Sequence, residues 1–115
     1  MTPTCPLEGQ TSTWMEILLR EHWRLSSLGS EYGFPLHIHS LVEFGENIRA
    51  LRTEFDRLNV RGQIYFARKA NKAPWFAKEA LLSDIGVDVA SERELGETTE
   101  MPGSRGKILV SSAIK

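Results

Sequence analysis

The chain has 115 residues, 41% of them hydrophobic and 25% charged, with a net charge of -1. That balance fits one modest globular domain and excludes a disordered or membrane-spanning chain. Near-neutrality without blocks of like charge leaves no electrostatic basis for binding nucleic acid or an anionic membrane.

Residues 1–13, MTPTCPLEGQTST, lack the basic and continuous apolar regions of a secretory signal and read as a flexible tail. The single cysteine, Cys5, has no partner within the chain, so a reducing, cytoplasmic compartment is expected. Residues 14–34 turn amphipathic: Ile17, Leu18, Trp23, Leu25 and Leu28 stand among charges, which predicts one or two helices stopping near Gly33 and Pro35. PLHIHS then reads as a short extended segment, with Leu36 and Ile38 on one face and His37 and His39 on the other. Two histidines on one face invite a metal reading. With only His22 and Cys5 as further soft ligands, they read instead as a polar face, with no metal.

SLVEFGENIRALRTEFDRL is the clearest helix. Ser40 and Glu43 have capping-box spacing, and Leu41, Phe44, Ile48, Leu51, Phe55 and Leu58 recur every three or four residues. The stripe is short for a coiled-coil seam and suits a helix laid on a sheet. After Gly62 a pattern repeats. QIYFARK reads as a strand, and APWFAKEALLSDIG as a helix with Pro74 in its first turn and Gly86 as its stop. VDVA is a second strand, SERELGETTEM a second helix ending near Pro102 and Gly103, and KILVSSA a third strand. Trp14, Trp23 and Trp75 lie at helical positions, as core or interface anchors rather than a cofactor cage.

The strand ends near Lys69, Ala90 and Ser112 are roughly 20 residues apart, the spacing of minimal βα units, so the expected fold class is α/β with parallel strands. Three strands are too few to close a (β/α)8 barrel of about 250 residues. The last strand, followed by no covering helix, makes the chain read as a fragment.

Parallel α/β sheets bind ligands beyond their carboxyl ends. That rim would carry Lys69, Asp88, Ser91 and the segment from Ser111 to Lys115. A lysine held there, partly desolvated, is placed to act as an amine nucleophile toward a carbonyl, and Asp88 to hold it. Each residue also has a plainer reading. Lys69 would be solvated, Asp88 would be an ordinary strand-end acid, and Ser91 with Glu94 would form a capping box.

YFARKANK, GVDVASEREL and KILVSSAIK occur in that order. Together they resemble the opening of the barrel in fold-type III pyridoxal 5'-phosphate (PLP) decarboxylases, the group of ornithine, diaminopimelate and biosynthetic arginine decarboxylases. The resemblance spans about residues 30–115 and implies a partial TIM barrel, the first βα units of an alanine racemase-like PLP-binding barrel over 35–115, preceded by N-terminal helices. It implies that Lys69 forms the internal aldimine with PLP. Asp88, with Ala67 and Asn71, would lie in the cofactor-binding motif, and Glu94 and Ser91 elsewhere in the active site. It also implies an amino-acid substrate, loss of CO2 and a homodimeric full-length enzyme. Arg68 and Lys72 depart from the family pattern. The ring-stacking histidine, glycine-rich phosphate loop, pyridine-binding glutamate and C-terminal β-domain come later in such enzymes, so these 115 residues alone are expected to turn over little. A non-catalytic homologue acting through partners, or a PLP-dependent racemase, are the alternatives.

Overall fold

The computed structural model describes residues 12–111 and divides the chain after Ser40 into two units. Residues 1–11, which include Cys5 and most of the expected tail, and residues 112–115 lie outside the described residues, whereas Ser12 and Thr13 of that tail cap and open a helix.

The first unit contains two helices, α1 (Thr13–Arg20) and α2 (His22–Tyr32). They meet at Glu21, whose φ of -97° and ψ of 43° leave the helical region, and Glu21 pairs with Arg24 at 2.8 Å. α2 ends at Gly33, where φ is +82° and the N–H donates to the Gly29 carbonyl. The Phe34 ring lies against Gly29, so a Cβ there would fall 2.1 Å from it. Residues 36–40 carry no strand, although their alternation reads as extended. Alternation alone supplies no partner for the ladder, and all three strands of the described sheet come from the second unit.

In the second unit α3 (Leu41–Arg57) precedes two βα units and a third strand: β1 (Tyr65–Ala67), α4 (Pro74–Leu82), β2 (Gly86–Val89), α5 (Glu92–Thr99) and β3 (Ile108–Val110). The result is a mixed α/β arrangement with a parallel sheet in the order β1-β2-β3. Phe66 is level with Val87, and Val87 with Ile108; on the next row Ala67, Asp88 and Leu109 stand side by side.

The first of those rows joins the helix layer. Ile48 of α3 and Ala77, Ala80 and Leu81 of α4 close over Val87, Val89 and Ile85. Beside them the rings of Phe44, Phe66 and Phe76 form a cluster with centroids 5.1 to 6.0 Å apart, two of the pairs nearly perpendicular. Edge-to-face geometry of this kind sets the positive ring edge on the negative face. Only the first half of the α3 stripe is used in this way: Leu51 and Leu58 remain exposed.

α4 stops differently from the expectation at Gly86. Asp84 takes the left-handed conformation at φ 59°, and the Ile85 N–H reaches back to the Ala80 carbonyl. This six-to-one closure satisfies the helix end two residues before the glycine. Gly86 opens β2 instead, and the Tyr65 ring lies across it, 2.3 Å from where a Cβ would stand.

Candidate functional site

The carboxyl edge of the sheet gathers four of the expected residues. Ala67 ends β1 and is level with Asp88 on β2. Lys69 follows in a single 3-10 turn, Arg68–Ala70, so β1 ends at Ala67 rather than reaching Lys69 as its sequence suggests. Ser91 lies just past β2 and is the N-cap of α5.

Lys69 is exposed and has neither hydrogen bond nor ion pair among the described residues. The partial desolvation expected of a nucleophilic amine is therefore not supplied by these residues. Asp88 is half-buried, and its Oδ1 is buried without a hydrogen-bond donor among the described residues. An orphaned carboxylate oxygen of this kind costs free energy in a fold and fits a site meant to receive a donor or a cation.

Asn71 serves the start of α4. Its Oδ1 accepts the Ala73 N–H at 3.0 Å, an Asx turn that delivers the chain to Pro74 at the first helical position. Ser91 and Glu94 fasten the start of α5. The Glu94 N–H donates to Ser91 Oγ at 3.2 Å, and Glu94 Oε2 accepts from the Ala90 N–H at 2.9 Å. In a capping box the carboxylate takes the N–H of the cap residue itself; here it takes the one before, tying the end of β2 to the helix. Thus the capping role of Ser91 and Glu94 is present at the site edge, and nearly all of Glu94 is buried.

Arg68 is the residue that sequence reasoning misses. Its side chain, 1% exposed, runs under α5. Nη1 donates to the Glu94 carbonyl at 3.0 Å and to Thr98 Oγ1 at 2.8 Å, and Nη2 pairs with Glu97. Thr98 in turn donates to the same Glu94 carbonyl at 2.6 Å. Nε has no acceptor. A hydrogen bond from Arg93, and a second from Arg68, hold the Glu97 carboxyl below its ordinary range. Arg68 therefore clamps the turn that carries Lys69 onto α5. A signal existed: Glu94 and Thr98, four apart, give α5 a polar inward face, which requires a buried partner. Lys72, the other departure, is exposed.

Among the described residues no three His, Cys, Asp or Glu side chains come together as a metal site, and no helix is long and apolar enough to cross a membrane.

No protein-family model and no solved structure matches the chain. Among curated proteins it is similar to a diaminopimelate decarboxylase of Bacillus methanolicus, 29% identical over 68 residues. That stretch covers 59% of this chain and 16% of the relative, so the chain corresponds to a small part of the relative's length.

Proposed function

We propose that this chain is the N-terminal barrel portion of a PLP-dependent amino-acid decarboxylase, with Lys69 as the amine to which the cofactor attaches and the three parallel strands as the start of the barrel. The observation that carries the reading is that one edge of a parallel sheet holds both a lysine just past β1 and, level with the end of β1, a strand residue, Asp88, whose buried oxygen has no donor among the described residues. The similarity to a diaminopimelate decarboxylase supports the same chemistry.

The residues have separable tasks. Lys69 offers the amine. Asp88 Oδ1 accepts a hydrogen bond from, and holds the positive charge of, a nitrogen brought to the edge. Asn71, Ser91 and Glu94 fix the helix starts that flank the edge, and Arg68 fixes the turn. When bound, PLP supplies the electron sink that allows the bond to a carboxylate to break. In this reading the amino-acid substrate and a second subunit, in a homodimer, meet the site from residues beyond this chain.

Reduction with borohydride in the presence of PLP, followed by peptide mass mapping, tests the assignment. The cofactor mass is expected on the peptide containing Lys69 and is expected to vanish in Lys69→Ala. Labelling of another lysine, or equal labelling in the variant, removes Lys69 from the role and favours the partner-binding homologue.

A further inference from the structure

The opposite, amino edge of the sheet holds a cavity of about 750 Å³ that the chemistry above does not use. It is built from the approaches to the three strands: residues 60–65 before and into β1, 84–86 before and into β2, and 105–107 before β3. Two of these approaches are near copies. Arg61-Gly62-Gln63-Ile64 leads into β1, and Arg105-Gly106-Lys107-Ile108 into β3. The strands between which β2 lies are therefore each announced by an arginine and a glycine, and both arginines line the one cavity.

The wall's charges are not equally free. Lys107 is paired with Asp84, and Arg52 donates to the Asp84 carbonyl at 2.8 Å. Arg61 and Arg105 make no hydrogen bond or ion pair among the described residues. Asp56 is the one lining carboxylate without a side-chain partner. The balance of charged groups in the wall is cationic, in a chain whose net charge is -1. Phe55 and Tyr65 add aromatic surface to the same lining.

We propose that this cavity binds a small aromatic oxyanion, a phosphate or carboxylate, with Arg61 and Arg105 holding the charged end and Phe55 and Tyr65 the ring. A guanidinium matches the paired oxygens of phosphate and carboxylate and needs no proton transfer to do so. Arg61 precedes β1 and Arg105 precedes β3, on either side of β2, and both line the one cavity, so in this proposal a single anion is shared between them.

The test is a nitrogen–proton correlation titration of the full, isotope-labelled chain with phenyl phosphate, benzoate and inorganic phosphate at low salt. Saturable shifts are expected at residues 61–65, 84–86 and 105–107. Arg61→Ala and Arg105→Ala are each expected to weaken binding about tenfold, the loss of a charged hydrogen bond. Neither should alter thermal unfolding, because neither arginine holds the fold together. Asp56→Asn, which removes the opposing charge, is expected to tighten binding. Shifts that do not saturate, that centre on Lys69, or that persist unchanged in the double arginine variant overturn the proposal. Equal affinity for inorganic phosphate and phenyl phosphate overturns the role given to Phe55 and Tyr65. The preference between phenyl phosphate and benzoate identifies which oxyanion the pair of arginines selects.

Discussion

Replacing Arg68 separates two contributions that its burial combines. Arg68→Ala removes two methylenes of buried stem beyond Cβ, at about 0.8 kcal/mol each. It also removes the donors to the Glu94 carbonyl, Thr98 and Glu97, each worth about 1 kcal/mol net. Against these losses stands the relief of a desolvated guanidinium whose Nε has no acceptor, about 1–3 kcal/mol. The acceptors left behind are not stranded: the Glu94 carbonyl and Thr98 keep each other, and Glu97 keeps Arg93. The net expectation is a destabilisation of about 2–4 kcal/mol for Arg68→Ala. Arg68→Met restores the stem without the charge and should cost only about 0–1.5 kcal/mol, because Glu97 is part-exposed and keeps Arg93, so no buried carboxylate is left unpaired. Urea unfolding followed by far-ultraviolet circular dichroism gives both values from the shift in midpoint at constant slope. If Arg68→Met costs as much as Arg68→Ala, the hydrogen bonds rather than the stem hold α5, and the reasoning fails.

Other perturbations address single contacts. Gly86→Ala drives a methyl into the Tyr65 ring and to 3.0 Å from the Lys107 carbonyl, so a loss of about 1–3 kcal/mol is expected, with partial recovery when Tyr65→Ala is added. No recovery in the double variant would place the strain elsewhere. Asp88→Ala should raise stability by about 1 kcal/mol in the same unfolding assay, because it deletes a buried oxygen that has no donor. A loss of stability would show that Oδ1 has a donor after all. For pH the sign follows from lowered carboxyl values. Arg93 and then Arg68 hold Glu97 below its ordinary 4.5, and Lys107 holds Asp84 below 3.8. A lowered folded value contributes stability that is present above the unfolded value and is lost as pH falls through the folded one. The unfolding midpoint should therefore begin to fall near pH 4.5, with Asp84 adding its loss below 3.8, and Glu97→Gln should remove the first part of the decline.

Local chemistry made much of this readable. Pro74 and Ser91 mark the starts of α4 and α5, and the run from Ile85 to Val89 carries the apolar positions of a central strand. The neighbouring positions of Ala67 and Asp88, and of Lys69 just beyond, follow from strands of matching spacing. What failed depended on distant partners. β1 ends early because Arg68 turns aside to reach α5, thirty residues further on at Thr98. The alternation of residues 36–40 makes no strand because alternation names a face and not a neighbour. Asp84, not Gly86, ends α4, since an aspartate enters the left-handed region more readily than most residues that carry a Cβ. In α3 the periodic stripe says which face is apolar, but α4 covers only part of it.

The spacing of the sheet also bears on how the chain folds. β2 pairs Gly86 with Tyr65 and Val87 with Ile108, and each pairing closes a loop of twenty-one positions. Loop closure depends only on the logarithm of length, so it favours neither half. The connecting helices break the tie. α4 brings Phe76, Ala77, Ala80 and Leu81 into the core, whereas the fully buried positions of α5 are Glu94 and Thr98, which gain little until Arg68 is in place. The β1-α4-β2 half is thus expected to form the nucleus, with β3 docking after it. Truncating Val87 to Ala should slow folding, while truncating Ile108 to Ala should chiefly speed unfolding.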